Sequence, residues 1–176
     1  MYHLDDSKGF KMGSITMSEF IFDSFKIDHI KFEMKPNSNL IGFKGMIDPA
    51  LWEIQIDFRD PQYFQNENFY ITGLIIRMSV FERGADGIKI EQTPPLINFS
   101  AGIIGKFLSK DGRFPKEIED NFVKSNAPAI LLPHLRALVS SSFALMGFGT
   151  VIVPLINIHE TAKNVYKDKE INIVLG

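Results

Sequence analysis

The chain's 176 residues, 45% hydrophobic and 23% charged, describe one folded domain rather than a disordered chain. A formal net charge of −2 supplies no excess of Lys and Arg for neutralising phosphates, which argues against nucleic acid as a partner. The absence of cysteine excludes disulfides and thiolate chemistry and fits a reducing compartment. Sixteen Phe against one Trp and four Tyr give an aromatic content without polar handles, suited to a core or to apolar surface kept for a partner.

Residues 1–17 are polar, rich in Gly and Met and aperiodic, and are predicted to form a mobile arm ahead of a single domain over 18–176. Asp5, Asp6 and Lys8 stand where a signal peptide needs an apolar stretch. No later run approaches the roughly 18 apolar residues of a membrane span. The expectation is a cytoplasmic protein without membrane insertion. From Phe20 the texture changes: Phe20 and Phe22, then Phe25 and Ile27, then Ile30, Phe32 and Met34 alternate in groups whose phase slips. One inserted residue turns a strand's side chains to the other face, so a bent or bulged strand is predicted, ended by Pro36-Asn37-Ser38-Asn39.

The next strand is the clearest, because Trp52, Ile54, Ile56 and Phe58 alternate strictly with Glu53, Gln55 and Asp57. Asp60-Pro61 and the polar run to Asn68 read as a loop. Leu74, Ile76, Met78 and Val80 then repeat the alternation. Glu82 to Gly87 reads as a longer hairpin loop, and Ile88 to Phe99 as a strand interrupted at Thr93-Pro94-Pro95, hence at an edge or bulged. Four antiparallel strands are the economical reading.

After Gly112 the period becomes helical. Pro115-Lys116-Glu117 opens a short helix, and Asn126, a candidate cap, and Pro128 open a longer one over about 128–146. Leu131, Leu135, Leu138, Ser142 and Leu145 lie along one stripe of it, with Pro133 requiring the first turn or a kink. Gly147 and Gly149 stop the helix. The extended apolar run Val151 to Ile158 must lie against protein, and Glu160 to Lys169 closes as a short amphipathic helix.

Little of this carries catalytic chemistry. His3, His29, His134 and His159 lack the spacing of a metal site, and no G-x-S-x-G, P-loop or G-x-G-x-x-G occurs. Gly147-Phe148-Gly149 follows a helix instead of opening one, so its amides do not form an anion site. No catalytic residue, metal or cofactor is expected. A small-molecule-binding α+β domain with a pocket between sheet and helix is the alternative class.

The series Ala127-Pro128-Ala129-Ile130-Leu131-Leu132-Pro133-His134-Leu135-Arg136, then Gly147-Phe148 and Val153-Pro154-Leu155-Ile156-Asn157-Ile158, resembles the C-terminal half of the SecB chaperones. Ile30-Lys31-Phe32-Glu33 is similar to that family's first strand, Glu53 to Phe58 to its second, and Leu96 to Phe99 stands in place of its fourth. The resemblance is colinear over roughly residues 20–166. It implies an α+β fold, a four-stranded antiparallel sheet with a long helix and short helices on one face. It also implies a homodimer or homotetramer that holds non-native polypeptide clients in apolar grooves without ATP, for protein export or for guarding an antitoxin. The groove residues so indicated are Phe20, Phe22, Ile54, Ile56, Phe58 and Phe148. Glu33 and Glu91 would lie on the sheet face that docks a partner such as SecA. A near-neutral charge, His134 in place of the family's Tyr, and an ending in Ile171 to Gly176 distinguish this chain from SecB proper.

Overall fold

A computed structural model describes residues 20–35, 52–83, 86–90, 93–110, 112–149, 151–167 and 169–175. The predicted arm, 1–17, and Glu91 lie outside them. Strands β1 (Phe20–Met34), β2 (Trp52–Phe64), β3 (Phe69–Val80) and β4 (Ile97–Ser109) precede helix α1 (Lys116–Asn121), a π-helical turn (Phe122–Asn126), helices α2 (Ala127–Leu145) and α3 (Ile158–Tyr166), and strand β5 (Asn172–Val174). The sheet order is β1-β4-β3-β2-β5. Strands β2, β3 and β4 form an antiparallel meander, and β1 returns beside β4, a Greek-key order.

The sheet is therefore α+β as expected but mixed, not a purely four-stranded antiparallel one. The fifth strand, β5, runs parallel to the far end of β2, with Gln62 opposite Asn172 and Phe64 opposite Val174. Ile171-Asn172-Ile173-Val174 is too short to announce itself by periodicity. It forms because its neighbour offers an open edge.

Two glycines explain why β4 extends ten residues past Phe99. Glycine weakens a strand by propensity, yet a Cβ on Gly105 would lie 2.6 Å from Leu131 Cδ2, and one on Gly102 2.9 Å from His29 Cε1. Each marks a close approach to an inner strand of the sheet. Pro61, expected in a loop, instead sits in β2 at a register shift between Arg59 and Gln62, where a missing N–H is tolerated. Residues 86–90 form only an isolated bridge, Arg83 with Lys89, and not the expected strand.

Helical residues 116–145 turn continuously through the π-helical turn, which replaces the expected break before Asn126. Asn126 is itself helical and makes no side-chain cap. The Ala127 N–H reaches back five residues to the Phe122 carbonyl, a widening that accommodates the Pro128 ring. By length and composition this stretch would suffice to cross a bilayer. In the fold its stripe of Leu131, Leu135, Val139 and Phe143 is fully buried. Leu145, expected on that stripe, is 89% exposed, because 3.6 residues per turn carry it past the contact.

The core lies between this helical layer and Tyr70, Leu74, Ile76 and Met78 of β3 with Ile97, Phe99, Ile103 and Phe107 of β4. Helix α1 is pinned by Glu119, which is 1% exposed. Its carboxylate takes both arms of Arg113 at 2.9 and 3.0 Å and accepts the Tyr70 hydroxyl at 2.8 Å, so the buried charge is fully partnered. Asn157 caps α3 by accepting from the Glu160 amide at 3.3 Å.

Candidate interaction surface

Strand β1 carries the molecule's unusual surface. Its ladder to β4 shifts register between Phe22 and Ser24 and again between Ile27 and His29. Each shift absorbs one slip in the apolar phase. Phe20, Phe22, Phe25, Ile27, Ile30, Phe32 and Met34 consequently stand opposite Ser109, Phe107, Gly105, Ile103, Ala101, Phe99 and Ile97, all on the face that bears the helices. Helix α2 covers only part of this row. Phe25, Ile27, Ile30 and Met34 remain 41, 52, 48 and 46% exposed. His134 of α2 borders them, its ring 4.5 Å from that of Phe25 and 5.5 Å from that of Phe22. The opposite long side of β1 pairs with no strand among the described residues. An apolar row thus lies beside a strand edge that pairs with no strand among the described residues.

The residues predicted to line a groove are dispersed. Phe20 stacks on Phe122 at 3.7 Å inside the core, and Phe58 is buried edge-on against Tyr166 at 5.5 Å. Neither side chain is open to a client in this protomer, because α1, α3 and the π-helical turn cover that face. Ile54 and Ile56 are partly buried against the same core. Phe22, itself in the β1 row, contacts Phe107, and Phe148 contacts Phe32 of that row, so these two lie by its exposed part. Phe25, Ile27, Ile30 and Met34 were legible within the phase-slipping strand. The signal was the slip itself, since two bulges return all groups to one face.

The other face of the sheet is polar and cross-linked. His29 Nδ1 lies 3.0 Å from Asp28 Oδ2 and Nε2 lies 2.8 Å from Ser100 Oγ. Arg59, from β2, reaches the same Asp28 oxygen at 2.6 Å. The crossing is possible because Gly73 and Gly102 leave the surface flat: a Cβ on Gly73 would lie 3.0 Å from Arg59 Cδ. The hydrogen bond from His29, then that from Arg59, holds the Asp28 carboxyl below its ordinary value.

Ser100, His29 and Asp28 stand in the hydrogen-bond order of hydroxyl, base and carboxylate. The backbone around Ser100 is engaged in ladders to β1 and β3, so no free amides converge there to stabilise an oxyanion. The arrangement is suited to tying strands together. Glu33 lies on this face, 3.0 Å from Lys31 and accepting from Asn98 at 3.3 Å. Its hydrogen bond with Lys31, first, lowers its pKa. Among the described residues no group of His, Asp and Glu has the makings of a metal site.

No family model matches the sequence, and no curated protein matches it. In structure the chain is similar to the SecB-like chaperone Rv1957 of Mycobacterium tuberculosis, solved in complex with a ChAD peptide from the Rv1956 HigA1 antitoxin. The TM-score is 0.52 at 8% identity, over 78% of this chain and 91% of that one. A protein of unknown function from Streptococcus agalactiae is similar over 80% of this chain and 100% of its own, with a TM-score of 0.42 at 10% identity. The first likeness establishes a SecB-like fold.

Proposed function

We propose that the protein is an ATP-independent cytoplasmic holdase, without enzymatic turnover, that takes up extended non-native polypeptide on the half-exposed apolar row of β1. The observation that carries this reading is the juxtaposition of Phe25, Ile27, Ile30 and Met34 with a strand edge that has no partner strand among the described residues. An extended polypeptide supplies what both features lack, apolar side chains for the row and backbone groups for the edge. The antitoxin peptide bound by Rv1957 is a polypeptide ligand on a similar scaffold, and an antitoxin tail is one client class consistent with the row.

Assembly belongs to the same proposal. A homodimer formed by antiparallel pairing of two β1 edges satisfies the edge and sets two apolar rows side by side, as the floor of one groove walled by two α2 helices. Exposed Leu145, Ile152 and Leu155, at the end of α2 and in the segment after it, offer a second apolar surface for a dimer of dimers. Docking to SecA through Glu33 receives no support from the geometry, since Lys31 and Asn98 already engage that carboxylate.

The test is to dilute a slow-folding apolar client from denaturant, with and without the protein, in the absence of nucleotide. Burial at about 25 cal/mol per Å² is sufficient for capture, so aggregation is suppressed without ATP. Ile27→Ser with Ile30→Ser weakens capture while the circular dichroism spectrum is kept, because both side chains are half exposed. Failure of the wild-type protein to hold any of several unrelated clients overturns the holdase, and a monomer by light scattering at micromolar concentration overturns the assembly.

A further inference from the structure

The polar face of the sheet, away from the helices, has an electrostatic asymmetry that the holdase reading does not use. Its acids are matched one to one: Asp28 with Arg59 at 2.6 Å, Glu33 with Lys31 at 3.0 Å, Glu53 with Lys89 at 2.6 Å, and Asp57 with Arg77. Two lysines on the same face, Lys26 of β1 and Lys106 of β4, take part in none of these pairs. Lys26 stands opposite Ile104, and Lys106 opposite both Ser24 and Ile71, so the two are diagonal cross-strand neighbours about 7 Å apart. Between them and β3 is a hollow of about 340 Å³ whose floor is Ile71 and Ile104 and whose wall is Phe69. The Lys106 ammonium lies 4.4 Å from the centre of the Phe69 ring, which holds the charge over an apolar surface. Asp28, two residues after Lys26, is engaged by Arg59, and Asp23, three residues before it, is exposed in the bulge and accepts from Ser24 at 3.0 Å.

We infer that this hollow docks an extended acidic peptide segment of a partner protein, with two carboxylates two residues apart and an apolar anchor beyond them. Residues i and i+2 of an extended chain project to the same side about 6.7 Å apart, which matches the spacing of the two lysines. The next side chain on that side, at i+4, falls on β3 at Phe69, which stands opposite Leu108, two residues beyond Lys106. Two lysines on a chain of net charge −2 are too small a cluster for a nucleic-acid backbone or an anionic membrane, and they suit a short carboxylate pair. The polarity is opposite to that expected of an acidic docking face built on Glu33. The two lysines are on the other face of the sheet from the apolar row of β1, Phe25 being the residue that the hollow and the row share, and the charge reversal tests the lysines separately from the holdase.

The test uses two fluorescein-labelled peptides, one containing Glu-Ser-Glu-Ser-Phe and the other Lys-Ser-Lys-Ser-Phe, titrated by anisotropy against the full-length protein. The acidic peptide binds at least about tenfold more tightly than the basic one, and raising salt from about 50 to about 300 mM weakens it. In the Lys26→Glu, Lys106→Glu protein, with circular dichroism unchanged, the preference inverts. A reversed preference on reversed charge is not produced by a merely structural role. Equal binding of both peptides, an affinity indifferent to the double replacement, or stronger binding to phosphatidylserine vesicles than to the acidic peptide overturns the inference. So does a change of oligomeric state in the double variant by light scattering, since that makes the hollow a contact between copies. Should Lys26→Glu with Lys106→Glu unfold the protein, Lys26→Gln with Lys106→Gln decides the matter: an unchanged preference for the acidic peptide overturns the inference, and its loss supports it.

Discussion

Strands β1 and β2 flank the central pair β3 and β4 from opposite sides, and they are stabilised in different ways. On β2, Trp52, Phe58 and Tyr63 are buried. Helix α3 closes over this strand, where the Tyr166 hydroxyl donates to the Arg59 carbonyl, and β5 pairs with its far end. On β1, Phe20 is buried against Phe122 and Phe32 meets Phe143, but Phe25, Ile27, Ile30 and Met34 of the same apolar set stay half exposed. Its firmest polar tie is on the other face, where Asp28 joins His29 and Arg59. The contrast teaches that alternation says which side of a strand is apolar, and only the layer above decides whether that side becomes core or binding surface.

The largest expected effect separates the two strands by stability. Phe58→Ala removes an edge-on contact with Tyr166 and leaves a cavity under α3, which costs about 3 kcal/mol or more. Ile27→Ala on β1 removes a side chain that is 52% exposed and costs less than about 1 kcal/mol. Urea unfolding of the two variants measures the difference. Equal losses would mean that β1's row is covered, most simply by a second copy.

A second, smaller effect is confined to the β2 side and appears at alkaline pH. Burial pushes the Tyr166 hydroxyl up to about 12. Its unfolded value is about 10, so the neutral form is favoured in the folded state. The stability this contributes is present in full below pH of about 10 and is lost as pH rises towards 12. Tyr166→Phe loses the hydrogen bond to the Arg59 carbonyl, about 1 kcal/mol at neutral pH, and flattens part of the alkaline decline. Tyr70, which burial, first, and its bond to Glu119 also raise, and Tyr63, which burial raises, contribute to the remainder. Thermal melts of both proteins across pH 9 to about 12 read the difference.

Most strands were legible in the sequence because a half-buried strand alternates visibly, as β2 and β3 do. The second half of β4 was not, since Gly102 and Gly105 lower strand propensity for a reason seated elsewhere in the chain, in His29 and Leu131. Helix continuity through the π-helical turn was hidden by Pro128, which reads locally as a beginning. The apolar row was written in the phase slips of β1. The strict alternation of Ile54, Ile56 and Phe58 drew the expected groove to β2, and nothing in that segment announces that Tyr166 of α3, a hundred residues on, covers Phe58. The Asp28, His29, Arg59 and Ser100 cluster joins three strands, so no local spacing could reveal it.

The smallest effect tests whether β1 depends on that polar tie. The folded Asp28 carboxyl sits below its ordinary value of 3.8, with the bond to His29 the first cause and that to Arg59 the second. A depressed carboxyl contributes stability that is present above the unfolded value and lost as pH falls through the folded one. Asp28→Asn therefore lowers stability at neutral pH by about 1 kcal/mol and makes the acid limb of the stability curve shallower below pH of about 4. The loss is small because the site is open to solvent on one side and the ladder to β4 remains. It is also local. Hydrogen exchange quickens in β1 around the second register shift, between Ile27 and His29, while β2 from Trp52, packed on Phe143 of α2, to Phe58, packed on Tyr166 of α3, keeps its protection. Exchange that quickens equally in both strands would show that the tie supports the whole sheet through Arg59, and that the two flanks are less independent than their packing implies.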